Sequence, residues 1–285
     1  MKLPYALARR FVAGETLDAA LPAVRDLRAD GLLVTLDLLG EDVADRRKAE
    51  DYALEYIRIL RVLDSEDSTL PPNISIKLSM IGQRIDRDFC VANLRRVLDE
   101  AKQLGAFVRL DMEGSDLTPS TLGIFEEVYP DYPENVGTVL QAYLHRTEAD
   151  VARMCELDAR IRLCKGAYKE PPGIAYQAMP EIRANYKQLA RDLITGAGYP
   201  GIATHDDELI EATKTFVRAE GIAPERFEFQ MLYGLRPETQ RDLVREGFNV
   251  RVYVPYGTEW GPYFTRRLRE RKENVWFIAK TMFQR

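Results

Sequence analysis

Several short apolar runs of the sequence are interrupted by charged or amide side chains, which are the residues most able to do chemistry. Lys77 stands in ISIKLS, Arg109 and Asp111 alternate with apolar residues in FVRLDM, and Arg162 and Lys165 stand in IRLCKG. Comparable positions are held by Gln141, His205, Gln230 and Tyr253. Because a buried charge is costly, each such residue needs a partner or a ligand. A structural ion pair, such as Lys77 with Asp111, is the alternative to a site, but polar residues near the same end of many runs favour a site.

A second candidate cluster lies near the carboxyl terminus, in the stretch WGPYFTRRL. Gly261 and Pro262 suit the start of a helix, so Tyr263 is expected to share a helical face with Arg266 and Arg267. Two guanidinium groups beside a phenol suit a small carboxylate, such as an amino or keto acid, because they supply paired charge-assisted hydrogen bonds. The alternative interpretation is a basic, solvated helix face, since more basic residues follow closely.

The elements that must position these residues form a regular alternation. Eight runs rich in β-branched residues predict strands, and they lie at Leu32–Leu38, Ile74–Ser79, Phe107–Met112, Gly137–Ala142, Arg160–Lys165, Gly201–His205, Phe227–Leu232 and Val250–Val254. Stretches between them have helical periodicity, clearest at Glu41–Leu63, Val91–Leu104 and Glu181–Ile194, and Gly105, Gly198 and Gly247 stand where helices should end.

Strict alternation of strand and helix predicts parallel strands with the helices outside. Eight repeats predict a closed (β/α)₈ TIM-type barrel of the α/β class, with an open doubly wound sheet as the alternative. We expect one domain over residues 1–285, with one or two extra N-terminal helices before Leu32 packed outside the barrel.

Composition excludes several classes of function. The net charge is −5 with both signs interspersed, which argues against a nucleic-acid partner. Cys90, Cys155 and Cys164 form no CxxC pair, and His145 and His205 are the only histidines, so neither a disulfide framework nor a metal site is expected. No signal peptide or membrane-spanning run is visible, and we expect a cytoplasmic protein.

The runs SIKLSMIG, RLDME, VLQAY, RLCKGAY, ATHD, FEFQMLYG, VYVPYG and YFTRRLRE resemble the proline dehydrogenase family in order and spacing. The opening ARRFVAGETL and the segment LDLLGE are similar to its short, single-function bacterial members. KGAY and YxxRR are specific when they occur together in this order. The resemblance covers nearly the whole chain and implies a (β/α)₈ barrel that binds FAD at its carboxyl-terminal face, with the final helix lying over the flavin.

This resemblance implies a reaction and its partners. L-proline would be oxidised to 1-pyrroline-5-carboxylate by hydride transfer to FAD, which is the first step of proline catabolism to glutamate. Electrons would then pass to a quinone, so that contact with the inner face of the membrane is expected to be peripheral. A pyrroline-carboxylate dehydrogenase would act downstream.

The resemblance also assigns roles to individual residues. It assigns catalysis to Lys77, Asp111, Arg266 and Arg267, with Asp111 supporting Lys77. Substrate binding is assigned to Lys77, Ala167, Leu232, Tyr253, Tyr263, Arg266 and Arg267, and Glu41 is expected to pair with Arg266 and gate entry. Cofactor binding is assigned to Asp111, Gln141, Arg162, Lys165, Gly166, Ala167, Tyr168, Thr204, His205, Gln230 and Glu270. His205 is thus a cofactor contact rather than a base. The residues Lys169, Asp206 and Tyr233 depart from frequent family choices, and the departure concerns how the adenosine end of FAD is held.

Two other functions are compatible with parts of the pattern. A lysine in a barrel strand can form a Schiff base, so Lys77 or Lys165 could make the chain a lyase or aldolase. A non-catalytic amino-acid sensor could use the same carboxylate-binding residues.

Overall fold

The computed structural model describes residues 8–67 and 69–270, with side chains described as far as Thr265. Eight parallel strands form a closed barrel in which each strand pairs with the next along the chain. They are β1 (Leu33–Leu38), β2 (Asn73–Ile76), β3 (Phe107–Leu110), β4 (Val136–Gln141), β5 (Ile161–Cys164), β6 (Gly201–Ala203), β7 (Glu228–Leu232) and β8 (Asn249–Tyr256). The barrel closes where β1 pairs with β8, from Leu33 opposite Arg251 to Leu38 opposite Tyr256. The predicted (β/α)₈ barrel and its eight strands are therefore confirmed.

Helices alternate with the strands. They are α1 (Leu17–Ala29), α2 (Arg46–Glu66), α3 (Arg87–Gln103), α4 (Thr118–Val128), α5 (Thr147–Glu156), α6 (Met179–Gly196), α7 (Asp207–Ala219), α8 (Pro237–Arg245) and α9 (Trp260–Glu270). Helix α1 is an extra N-terminal helix of the kind predicted. No helix within residues 8–67 and 69–270 is both long and apolar enough to cross a membrane.

The start of α2 differs from its prediction. The periodic stretch was expected to be helical from Glu41, but the helix begins at Arg46 because Asp45 accepts a hydrogen bond from the backbone N–H of Lys48 (2.8 Å) and caps it. Residues 41–45 instead form an irregular segment that follows β1. The candidate gate residue Glu41 thus lies in a loop at the carboxyl end of the barrel.

Several predicted strands also end early. The run at Ile74–Ser79 leaves the strand after Ile76 and turns into a 3₁₀ helix at Leu78–Met80, and the run at Gly201–His205 leaves it after Ala203. Lys77 and His205 therefore stand just beyond their strands. This position suits a site, because the carboxyl ends of parallel barrel strands are where such enzymes assemble their ligand contacts.

Large polar side chains fill the interior of the barrel below these ends. Arg162 on β5 reaches across the barrel to the hydroxyl of Ser75 on β2 (3.0 Å). Glycines on adjacent strands make the necessary room, because a Cβ at Gly201 would lie 2.4 Å from Nε2 of Gln230 and one at Gly137 would lie 2.6 Å from Nη1 of Arg109. The apolar core lies instead between strands and helices, where alternate strand residues such as Ile74, Ile76, Val108, Leu110, Ile161 and Leu163 are buried.

Candidate active site

A cavity of about 1070 Å³ opens at the carboxyl ends of the strands. It is bordered by most of the residues that the sequence singled out, namely Lys77, Asp111, Arg162, Lys165, Gly166, Ala167, Tyr168, Thr204, His205, Gln230, Leu232, Tyr253 and Tyr263. Tyr263 belongs to α9, so the first turn of this helix borders the cavity. The fold thus gathers residues from distant parts of the chain around one space.

Other candidates are placed differently or lie outside the described side chains. The amide of Gln141 is buried and donates to the backbone oxygen of Glu113 (3.0 Å), and Gln141 does not border the cavity. Glu41 is half-buried in the loop after β1. The side chains of Arg266, Arg267 and Glu270 lie outside the part of the chain that the structure describes, so the pairing of Glu41 with Arg266 stays a prediction.

Lys77 has a direct partner that the sequence analysis missed. Its Nζ donates to both carboxylate oxygens of Asp37, at 3.0 and 3.3 Å, and Asp37 is completely buried on β1. Burial opposes the charge of Lys77, but the negative charges of Asp37 and Asp111 outweigh burial and raise the pKa of Lys77 above its ordinary value. Lys77 is therefore held as a cation.

Asp111 was expected to support Lys77, and it does so only through its electrostatic field. Its two carboxylate oxygens instead accept hydrogen bonds from Nη1 of Arg162 (2.6 Å) and from the hydroxyl of Tyr253 (2.7 Å). Burial, followed by the charge of Asp111, raises the pKa of Tyr253 well above its ordinary value, so the phenol stays protonated. The ring of Tyr253 lies 5.2 Å from the guanidinium carbon of Arg162, within range of a cation–π contact.

All three guanidinium nitrogens of Arg162 are engaged. Besides the bonds to Asp111 and Ser75, its Nε donates to the amide oxygen of Gln230. The amide nitrogen of Gln230 in turn donates to Glu228. Arg162 is thus fixed in one orientation at the floor of the cavity.

Arg109 does not take part in this floor. Although the sequence pattern grouped it with the site residues, its Nη1 donates to the backbone oxygens of Thr138 (3.1 Å) and Arg160 lower in the barrel. Burial, followed by the nearby charges of Arg162 and Arg160, lowers the pKa of Arg109 well below its ordinary value. Its role is structural, because it serves buried backbone carbonyls.

His205 is oriented as a hydrogen-bond acceptor at one ring nitrogen. The backbone N–H of Leu232 donates to Nε2 of His205 (2.9 Å), which fixes the neutral ring as the tautomer protonated at Nδ1. Since the lone pair of Nε2 is already occupied, this nitrogen is poorly suited to take a proton from a substrate. The geometry agrees with a contact role for His205.

Two cations share one carboxylate at another wall of the cavity. Lys165 and Arg183 both donate to Oδ2 of Asp206, at 3.1 and 2.9 Å. Asp206 also caps α7, since its Oδ1 accepts from the backbone N–H of Glu208 (3.2 Å). Arg183, on α6, was not among the predicted site residues. A paired cationic wall of this kind suits an anionic part of a ligand.

Gly166 allows the main chain of the cavity wall to pack closely against Tyr143. Its φ of +119° is unfavourable for other residues, and a Cβ at this position would lie 2.2 Å from the ring of Tyr143. The segment carrying Gly166, Ala167 and Tyr168 borders the cavity, and its position depends on glycine at 166. In the sequence this segment is the KGAY motif.

Asp37 and Glu228 could have been found from the sequence by the same signal that revealed Lys77. Asp37 interrupts the apolar run LVTLDL, and Glu228 stands in FEFQ, so each is a charge inside a predicted buried strand. The sequence pattern does not give the register between β1 and β2, and this register places Lys77 beside Asp37.

Comparisons with known proteins agree with this geometry. The sequence model of the proline dehydrogenase family matches residues 20–280. The proline dehydrogenase of Deinococcus radiodurans is 40% identical over 282 residues, which are 98% of this chain and 90% of its own length. Proline dehydrogenase 2 of Bacillus subtilis is 40% identical over 275 residues, covering 96% of this chain and 90% of its own.

A solved structure shows the same barrel. Proline utilization A from Bdellovibrio bacteriovorus, inactivated by N-propargylglycine, superposes with a TM-score of 0.87 and 27% identity over 92% of this chain and 32% of that one. The family match, the identities over almost the whole chain and the shared barrel show that this chain belongs to the proline dehydrogenase family of enzymes.

Proposed function

We propose that the chain binds FAD and L-proline in the cavity and oxidises L-proline to 1-pyrroline-5-carboxylate, with a quinone as the subsequent electron acceptor. The observation that carries the proposal is the fixed polar floor of the cavity, in which Lys77 is a cation and Arg162 is tied to Asp111. Such a floor can bind a carboxylate and stabilise negative charge on a neighbouring ring.

The residues present fit FAD. Pockets for drug-sized ligands commonly measure roughly 300–1000 Å³, and a cavity of about 1070 Å³ leaves room for a dinucleotide beside a small amino acid. Lys165 and Arg183 supply positive charge suited to the phosphates, and Gly166 borders the same space. Arg162 and Gln230 would face the reactive ring, with Thr204 and His205 beside it.

The substrate would lie between this floor and α9. Lys77 is available for the carboxylate of proline, and the resemblance assigns further contacts to Arg266 and Arg267. The rings of Tyr253 and Tyr263 and the side chains of Ala167 and Leu232 border the same space and suit the carbon skeleton. Holding the carboxylate at several points would fix the ring carbon that loses a hydride.

The chemistry requires a neutral amine before the hydride leaves. Positive charge from Lys77 and from the proposed carboxylate contacts Arg266 and Arg267 would disfavour a protonated amine nearby and so lower the pKa of the amine of bound proline. When bound, FAD supplies the acceptor for the hydride. The protein's part is to bind and orient proline and to set the electrostatic field around it. Tyr253 does not act as a base, because its hydroxyl stays protonated and donates to Asp111.

The Schiff-base alternative is less compatible with the site. A nucleophilic lysine must be neutral, whereas Asp37 and Asp111 raise the pKa of Lys77, and Lys165 is paired with Asp206. A sensor without catalysis would need only residues that bind the carboxylate of its ligand. It would not need the guanidinium of Arg162 to be fixed by a hydrogen bond at each nitrogen.

The test is the visible spectrum of the purified protein during anaerobic addition of proline. We expect bound flavin whose bands bleach with L-proline and persist with D-proline, followed by recovery on addition of a soluble quinone. A protein that stays colourless after incubation with FAD, or a flavin that L-proline does not reduce, would contradict the proposal.

A further inference from the structure

Glu228 is a buried carboxylate below the cavity, on the strand that carries Gln230. Its Oε1 accepts hydrogen bonds from Nε2 of Gln230 and from Nε of Arg251 (2.7 Å), while its Oε2 has no hydrogen-bond partner among the described residues. Glu228 does not border the cavity, so it cannot touch a ligand there. Its role must therefore be exercised through a neighbour.

That neighbour is the amide of Gln230. An amide has a donor end and an acceptor end, and the two flanking groups are compatible with only one orientation of the Gln230 amide. An ionised Glu228 can only accept, and Arg162 can only donate, so the amide nitrogen must face Glu228 and the amide oxygen must face Arg162. Burial opposes ionisation of Glu228, but the charge and hydrogen bond of Arg251 outweigh it and lower the pKa of Glu228, which keeps the carboxylate ionised.

We propose that Glu228 is a positioning residue for Arg162, acting through the amide of Gln230. It holds the guanidinium in the orientation in which it also meets Asp111 and Ser75. This inference rests on the proposed function, because Arg162 is the cation proposed to lie next to the flavin. Glu228 thereby affects how readily the flavin accepts electrons, without affecting how tightly proline binds.

A second variant site tests the same amide independently. A Cβ at Gly201 would lie 2.4 Å from Nε2 and 2.8 Å from Cδ of Gln230, so Gly201→Ala must displace this side chain while leaving Glu228 charged. Gly201 has no positive φ, so alanine imposes no backbone strain there. Displacement of Gln230 by either route should release Nε of Arg162.

The experiment measures three quantities on flavin-loaded protein: the flavin midpoint potential by dithionite titration, the rate constant of flavin reduction by saturating L-proline, and the proline dissociation constant. Glu228→Ala and Gly201→Ala should each make the potential more negative and slow reduction by roughly 10- to 100-fold. The proline dissociation constant should change less than twofold. Glu228→Gln keeps an acceptor oxygen for both Gln230 and Arg251, so it should recover most of the rate.

The matched control is Glu246→Gln, which breaks an ion pair with Lys214 (2.8 Å) on the outside of the barrel. It should lower the melting temperature and leave the potential and rate unchanged. If Glu228→Ala and Gly201→Ala behave like this control, or if Glu228→Gln is as slow as Glu228→Ala, Glu228 is only structural. Absence of flavin from the wild-type protein would overturn the proposed function itself, which separates the two failures.

Discussion

Nζ of Lys77 lies 3.0 Å from Oδ1 of Asp37, and the two side chains are exposed by only 8% and 0%. The pair links β1 to the residue that follows β2, and Lys77 borders the cavity while Asp37 lies beneath it in the protein interior. A buried ion pair of this kind adds little stability as a pair, but removal of one partner leaves the other charge without compensation. The pair thus makes both residues sensitive to single substitution.

Asp37→Asn should lower the free energy of unfolding by about 3–5 kcal/mol, because Lys77 is then buried without its carboxylate. The double variant Asp37→Asn with Lys77→Met removes both charges and should recover most of that loss. Urea unfolding of the three proteins measures the difference. Equal losses in the single and double variants would show that the ion pair is not what the single substitution disrupts.

Tyr253→Phe should change the dependence of stability on alkaline pH. The folded-state pKa of Tyr253 is raised above its ordinary value of 10.0, so its contribution to stability is complete below pH 10 and is lost as pH rises toward the folded-state pKa. Phenylalanine cannot ionise, so the free energy of unfolding should fall less between about pH 8 and pH 11 in the variant than in the wild type. Below pH 10 the variant should be less stable, because Asp111 loses a donor.

The control for that experiment is Tyr132→Phe, which removes a phenol that donates to the exposed Asp99 (2.6 Å) outside the barrel. Its effect on the alkaline slope should be smaller, because burial and Asp99 raise the pKa of Tyr132 less than burial and Asp111 raise the pKa of Tyr253. A Tyr253→Phe protein with the wild-type slope would contradict the prediction.

Gly166→Ala should reduce binding of the proposed flavin. Alanine would be strained at φ +119°, and its Cβ would meet the ring of Tyr143, so the main chain of the cavity wall must move. Gly105→Ala is the matched control, since Gly105 also has a positive φ (+61°) but no atom within 4 Å of an added Cβ. We expect a loss of about 1–2 kcal/mol of stability in the control, with full flavin content by absorbance. Equal flavin content in both variants would show that the packing of Gly166 against Tyr143 does not shape the proposed flavin site.

Asp206→Asn should strengthen the binding of FAD to the apoprotein. Asparagine keeps an oxygen to cap α7 but removes the charge that now compensates Lys165 and Arg183. A gain of about 1 kcal/mol, or roughly fivefold in dissociation constant, is expected at low salt and should shrink as salt is added. Asp206→Ala also loses the cap and should be less stable. Weaker FAD binding by Asp206→Asn, measured by fluorescence titration, would place the phosphates elsewhere.

The barrel was predictable from the sequence because its strands carry two signals at once. Each run is short and rich in β-branched residues, and each gap to the next run is long enough for a helix, as between Phe107–Leu110 and Val136–Gln141. Site residues such as Lys77 and Arg162 were predictable because a charge inside an apolar run needs a partner. Their roles toward flavin and proline remain proposals.

The partners of these residues were not predictable, because pairing depends on register and on reach across the barrel. Register places Asp37 opposite Ser75, two residues before Lys77, and this offset cannot be read from either run alone. Likewise Arg162 and Asp111 are far apart in sequence and meet only because β5 and β3 face the same interior. Sequence reasoning therefore found most of the cavity wall but not the direct hydrogen-bond partners of Asp111, which are Arg162 and Tyr253.

The ladder between β1 and β8 has a consequence for how the chain acquires its structure during synthesis. Leu33–Leu38 pair with Arg251–Tyr256, which lie more than two hundred residues later in the sequence, so the barrel cannot close until that last strand has been synthesised. Until then, a nascent chain with seven strands has two strand edges with unpaired hydrogen-bonding groups, which are templates for aggregation. Contacts so distant in sequence also slow folding. The exposed edge of the first strand of the growing chain therefore needs protection from aggregation until the last strand has been synthesised.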